Sequence, residues 1–113
     1  MNTTREVRRL TRILELFRQH DERMSVSEAL VFLMAADDDK FEHQKDIEDR
    51  LGIANSTCSR YVSYWSEFVR PDEPGRGMIE NYPDPMNRSS KKMRLLPKGK
   101  AFLAQVADII RGD

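Results

Sequence analysis

Two short amphipathic segments joined by a glycine turn constrain this chain more than any other feature. Gln44–Leu51 places Ile47 and Leu51 at i and i+4, on one face of a helix. Gly52 follows, and glycine suits the left-handed position that closes a helix. Ile53-Ala54 completes a tight turn. Asn55 or Ser56 then caps a further helix that continues to about Phe68 or Val69. Along it Cys58, Tyr61, Val62, Trp65 and Phe68 recur at spacings of three and four, which makes an inward stripe. Two helices joined so briefly form a helix-turn-helix, in which the second helix buries one face and leaves the other to solvent.

The rest of the chain supplies the frame. Thr3 or Thr4 caps a first helix carrying Val7, Leu10, Leu14 and Phe17 at helical spacing, which fades at residues 19–21. A second helix starts after Ser25 or Ser27. It is apolar on more than one side (Val26, Ala29, Leu30, Leu33), which marks a central helix. The aspartates at 37–39 read as a solvated loop, and Phe41 as a very short strand. Arg70–Gly77 holds two prolines and two glycines and reads as an irregular loop. Residues 78–82 and 91–96 read as the strands of a hairpin whose tip spans 83–90. Pro97 opens a last helix to about Arg111. The fold class is therefore mainly α with a small β-hairpin, a winged helix-turn-helix. Its one domain spans 1–113, with the helix-turn-helix at 44–68, the wing at 78–96, and terminal helices 3–20 and 97–111 assigned to dimerisation.

Charge matters through its placement. The 19 basic and 19 acidic residues cancel, which by itself argues weakly against a nucleic-acid partner. Yet no acid occurs from Met86 to Lys100, a stretch carrying Arg88, Lys91, Lys92, Arg94, Lys98 and Lys100. No acid occurs from Leu51 to Ser66 either. A neutral chain arranged this way presents a positive face to phosphate. The expected nucleic-acid contacts are Asn55, Ser56, Thr57, Ser59, Arg60 and Ser63 on the second helix, and Arg88, Lys91, Lys92 and Arg94 on the wing. The first set has short hydrogen-bonding side chains and one arginine, which suit base edges and phosphates. If four to six cations neutralise phosphates, log K falls with log salt at a slope of about −4 to −5.

The stretch Gln44–Val62 resembles the helix-turn-helix of MarR-type transcriptional regulators. Tyr82–Lys91 resembles that family's wing, and Leu95–Ala101 the segment entering its next helix. The resemblance covers roughly residues 26–106. It implies a homodimer on a near-palindromic double-stranded operator, with Ser56, Thr57, Ser59 and Arg60 toward the major groove and Arg88 at the wing tip. The family's wing commonly reads Asp-Arg-Arg where this chain has Asn87-Arg88-Ser89, and the family usually has two C-terminal helices where this chain has one. Related regulators also hold small-molecule effectors, for which Phe17, Phe32, Met34 and Phe102 are candidate lining residues or plain core.

Other chemistries lack parts. There is no Gly-rich phosphate loop, metalloprotease motif, nucleophile elbow or triad, so no catalytic residue, cofactor or metal site is expected. His20 and His43 read as surface histidines without metal-ligand spacing. A sensor role for the single cysteine, Cys58, requires exposure and a lowered pKa. No apolar run approaches a membrane span and no apolar stretch follows the N-terminal charges, so a cytoplasmic protein is expected. The alternative reading is a winged-helix protein-interaction module that has lost DNA binding.

Overall fold

The glycine turn forms as its residues dictate. The structure, a computed structural model, describes residues 2–112. Its first three helices are α1 (Thr4–Arg18), α2 (Val26–Ala36) and α3 (Gln44–Leu51). Gly52 closes α3 in the left-handed region, at φ 65° and ψ 38°, and the N–H of Ile53 reaches back 3.1 Å to the Glu48 carbonyl. Three residues separate the end of α3 from the helix α4 (Asn55–Trp65). Its N-cap position is Ala54, which offers no side-chain cap, so neither Asn55 nor Ser56 serves as the cap expected of it.

The end of α4 departs from the sequence reading. The helix stops at Trp65, not at Phe68 or Val69, because Ser66 turns extended (φ −80°, ψ −178°). Its hydroxyl sits 2.8 Å from the Ser63 carbonyl and 2.9 Å from that of Phe68, offering the backbone an alternative to the next helical turn. The loop at 70–77 is also more regular than expected. Strand β1 (Phe68–Arg70) pairs antiparallel with β2 (Glu73–Pro74). The N–H groups of Gly75, Arg76, Gly77 and Met78 then bond to carbonyls at Glu67, Tyr64, Ser66 and Trp65. Phe68 consequently leaves the inward stripe and is 57% exposed.

The wing is the antiparallel pair β3 (Ile79–Asp84) and β4 (Asn87–Leu95), in register Ile79↔Leu95 through Pro83↔Lys91, with a shift before Asp84↔Asn87. Only Pro85 and Met86 form the tip, which is far shorter than residues 83–90. A single bridge, His43↔Lys92, stands where a third short strand was expected near Phe41. Helix α5 (Pro97–Arg111) carries Pro97 in its first turn and ends on Gly112 at φ 83°.

The core lies between α2, α4, the wing and α5. Trp65, Phe32, Ile47, Met78, Ile79, Val31, Val62 and Cys58 are wholly buried. Phe17, Phe32 and Phe102 meet edge to face, with centroids 5.0–6.0 Å apart. These three candidate effector-lining residues are core, and Met34 packs against them. His20, expected at the surface, stacks 4.8 Å from Phe102 and 6.1 Å from Trp65. Burial, then the charges of Lys98 and Arg76, hold its imidazole below the usual pKa.

At Gly99, in the first turn of α5, the backbone lies against Met78. A Cβ there would run into the Met78 carbonyl oxygen, which accepts the N–H of Leu96 at 2.9 Å. Gly99→Ala is therefore expected to lower stability by roughly 1–3 kcal/mol through overpacking. A thermal melt of the variant checks this.

Candidate nucleic-acid interface

Helix α4 and the wing meet beside α3, where Asn55, Ser59 and Lys91 of the expected residues line one cleft. Asn55, Ser56 and Arg60 are exposed on α4, whereas Thr57, Ser59 and Ser63 are half-buried. The Ser63 hydroxyl is engaged with its own helix, donating to the Ser59 carbonyl at 2.9 Å. The Arg60 guanidinium lies 5.7 Å from the Tyr61 ring centroid and has no ion pair among the described residues. A cleft of about 280 Å³ separates the start of α4 from β4, lined by Gln44, Glu48, Asn55, Ser59, Ser90 and Lys91 among others.

The four wing cations divide into two pairs. Arg88 and Lys91 are exposed and have no acidic partner among the described residues. Lys92 is held at 2.8 Å by Glu42, and this hydrogen-bonded pair raises the lysine pKa and lowers the glutamate's. Arg94 bonds Glu80 at 2.7 Å, directly across the hairpin, and lies 4.9 Å from the Tyr82 ring centroid. Lys92 and Arg94 are thus already neutralised by the fold, while Arg88 and Lys91 are not.

Sequence reasoning missed the groups that brace the site. Asp84 is buried at the wing's turn, 2.8 Å from His43 Nε2, and accepts the N–H of Met86 at 2.9 Å. His43, expected at the surface, is thereby a clasp between the start of α3 and the wing. The acid expected before the wing arginine is absent from position 87, and Asp84 does the bracing three residues earlier. The Asn87 side chain instead accepts from the Ser89 hydroxyl at 2.7 Å.

The Asp84 carboxyl is held below its ordinary pKa, mainly by the hydrogen bond to His43, then by the Met86 N–H, with Lys92 adding to it. A carboxyl depressed in the folded state contributes stability above its unfolded pKa of about 3.9. That contribution is lost as pH falls through the lower folded value. The wing is therefore expected to loosen below about pH 4, seen as a fall in the amide protection factor of Met86, the intrinsic exchange rate divided by the observed one at each pH. Asp84→Asn should abolish this acid step.

A second missed group is Glu48, buried to 7% exposure and without an ion pair among the described residues. The acids of α3 read as a solvated face, yet this one turns inward. Its carboxylate accepts the side-chain amides of Gln44 at 3.2 Å and Asn55 at 2.9 Å. Gln44, itself 3% exposed, also donates to the Ser59 hydroxyl at 2.9 Å and accepts from Asn81 of β3 at 3.3 Å. The signal available in sequence was the i, i+4 pairing of Gln44 with Glu48.

Cys58 does not meet the requirements of a sensor. It is wholly buried, and burial, then the Glu48 charge, push its thiol pKa up to about 11. Among the described residues no cluster of His, Cys, Asp or Glu is arranged to hold a metal ion. No described helix is long and apolar enough to cross a membrane.

No family profile and no curated protein match the sequence. Solved structures do match its shape. One is RV1404 of Mycobacterium tuberculosis, at TM-score 0.64 and 19% identity, covering 97% of this chain and 69% of that one. A mutant MarR from E. coli complexed with operator DNA matches at TM-score 0.60 and 12% identity, covering 96% and 73%. BpsR of Bordetella bronchiseptica, whose DNA binding is regulated by 6-hydroxynicotinic acid, matches at TM-score 0.56 and 17% identity, covering 93% and 70%. The class this architecture defines is the winged helix-turn-helix. Within that class, its fold is the one found in MarR-type regulators.

Proposed function

We propose that this chain is a sequence-specific double-stranded DNA-binding transcriptional regulator, acting in the cytoplasm as a homodimeric repressor on a near-palindromic operator. The observation that carries this reading is the junction of α4 with the wing. There Asn55 and Ser59 of α4 line a cleft with Lys91 of the wing, Ser56, Arg60 and Arg88 are exposed, and none of the cations Arg60, Arg88 and Lys91 has an acidic partner among the described residues. Groove-reading helices contact base edges with their N-terminal residues, and a basic hairpin beside one lies along the backbone or minor groove. The likeness to a MarR complexed with operator DNA supports the same placement.

The dimer reading draws on α1 and α5. Val7, Leu10 and Leu14 lie along one side of α1 at 58%, 58% and 54% exposure, and Ile110 of α5 is 59% exposed. Arg9 ties the two helices together by donating to the Ile110 carbonyl at 3.3 Å. An apolar stripe of this length left open on a small protein marks an association surface. A small-molecule effector, as in BpsR, is part of the proposal.

Selection of bound sequences from a random duplex pool, at two salt concentrations, tests the reading. A two-fold-related motif is expected. Recovery of no motif at either salt would overturn it.

A second reading is a winged-helix module that binds protein. It is favoured by the pairing of Lys92 with Glu42 and Arg94 with Glu80, which removes two of the four wing cations from the surface field. Such a module would pass through heparin at low salt without retention.

A further inference from the structure

We infer that Glu48 fixes the side-chain amide of Asn55 so that its oxygen faces the DNA, and that Asn55 thereby selects adenine or cytosine at one position of each half-site. This rests on the reading that α4 enters the major groove.

The argument is one of hydrogen-bond direction. The buried Glu48 carboxylate accepts bonds and donates none. The group of Asn55 that sits 2.9 Å from Glu48 Oε2 is therefore its amino end, Nδ2. The amide is planar, so its oxygen is turned the other way, and it accepts nothing within the described residues. Glu48 is itself anchored. Gln44 donates to the same oxygen, and Gln44 cannot turn over without setting its own oxygen against the Glu48 carboxylate, while its amino group also reaches Ser59 and its oxygen accepts from Asn81. A network running from β3 through α3 thus sets one atom at the first turn of α4.

An outward carbonyl oxygen needs a donor. In the major groove adenine offers its N6 amino group and cytosine its N4 amino group. Guanine O6 and thymine O4 at the equivalent edges are acceptors. An oxygen aimed at either acceptor is repelled, and the amide cannot flip to relieve it without setting its oxygen against the buried Glu48 carboxylate, which would lose one of its two donors. Glu48 and Gln44 are accordingly positioning residues, and Asn55 is the residue that reads.

The test uses the wild-type chain first. Sequence selection with wild type and with Asn55→Ala identifies the half-site position whose preference depends on residue 55. The preferred pair there presents one exocyclic amino group in the major groove, on its adenine or its cytosine, and that group is the one Asn55 should read. Replacing that base by its analogue without the amino group (purine for adenine, pyrimidin-2-one for cytosine) should cost wild type about tenfold in affinity and Asn55→Ala nothing further. Glu48→Gln, which offers Asn55 a donor as well as an acceptor, should let the amide turn over and tolerate the same pair with its two bases exchanged between the strands. Equal binding of the amino-less analogue, or no position that depends on residue 55, would each overturn the inference while leaving groove binding intact. Loss of all sequence selectivity by wild type would instead overturn the groove reading, and this inference with it.

Discussion

Replacing Arg88 and Lys91 together by alanine is expected to weaken duplex binding on the order of fiftyfold at 0.1 M salt, and to flatten its salt dependence by nearly two log units per log salt for each protomer. Each phosphate contact releases condensed counterions, so two lost contacts remove about 0.9 each from the slope. The fold should not notice, because both side chains are exposed and neither has an acidic partner among the described residues. Lys92→Ala and Arg94→Ala are the controls. Their charges are balanced by Glu42 and Glu80, so each should change the slope by much less. A titration by fluorescence anisotropy at several salt concentrations distinguishes the pairs. Equal effects from all four cations would contradict the division made by the ion pairs.

Trp65→Ala should remove roughly 3–5 kcal/mol of stability, the usual cost of truncating a fully buried large aromatic. Trp65 is 0% exposed and packs against α1, α2 and Arg76. Its ring meets Phe32 at 5.0 Å and Phe17 at 6.2 Å, and the Arg76 guanidinium covers it at 4.9 Å. Its Nε1–H donates to the Glu28 carbonyl of α2 at 2.8 Å, so α4 and α2 lose a hydrogen bond as well as packing. Arg76 would lose its apolar cover while remaining bound to Asp21 at 3.2 Å. Domains of this size hold about 5–15 kcal/mol in all, so the variant should be partly unfolded at 37 °C. Trp65→Phe keeps a ring and loses the bond, and should cost about a third as much. Urea unfolding followed by circular dichroism measures both.

The elements bounded by strong local chemistry were legible in the sequence. Gly52 ends α3 and Pro97 starts α5, so Gln44–Leu51 and Pro97–Arg111 form where the residues indicate. Where the boundary depends on contacts distant in sequence, the reading fails. The apolar period of α4 continues to Phe68, but the chain at 75–78 takes the carbonyls at 64–67, and the helix ends at Trp65. Pro83 and Asp84 look like turn residues, yet Pro83 pairs with Lys91 inside the ladder. A two-stranded sheet leaves each strand a free edge, where a missing N–H is tolerated. The same division applies to the site. The composition of α4 and the basic hairpin can be read residue by residue. The direction in which Glu48, His43 and Asp84 point cannot, because it depends on α3 packing against both α4 and the wing. An acidic helix reads as solvated until its neighbours are known.

The most direct measurement is equilibrium binding of the wild-type chain to its selected duplex and to a scrambled duplex of equal length, each across a range of salt. If α4 reads bases while Arg88 and Lys91 of two protomers hold phosphates, the selected duplex should bind at least a hundredfold more tightly, with a slope of about −4 on the log–log plot. Identical affinity for the two duplexes, or binding that ignores salt, would contradict it.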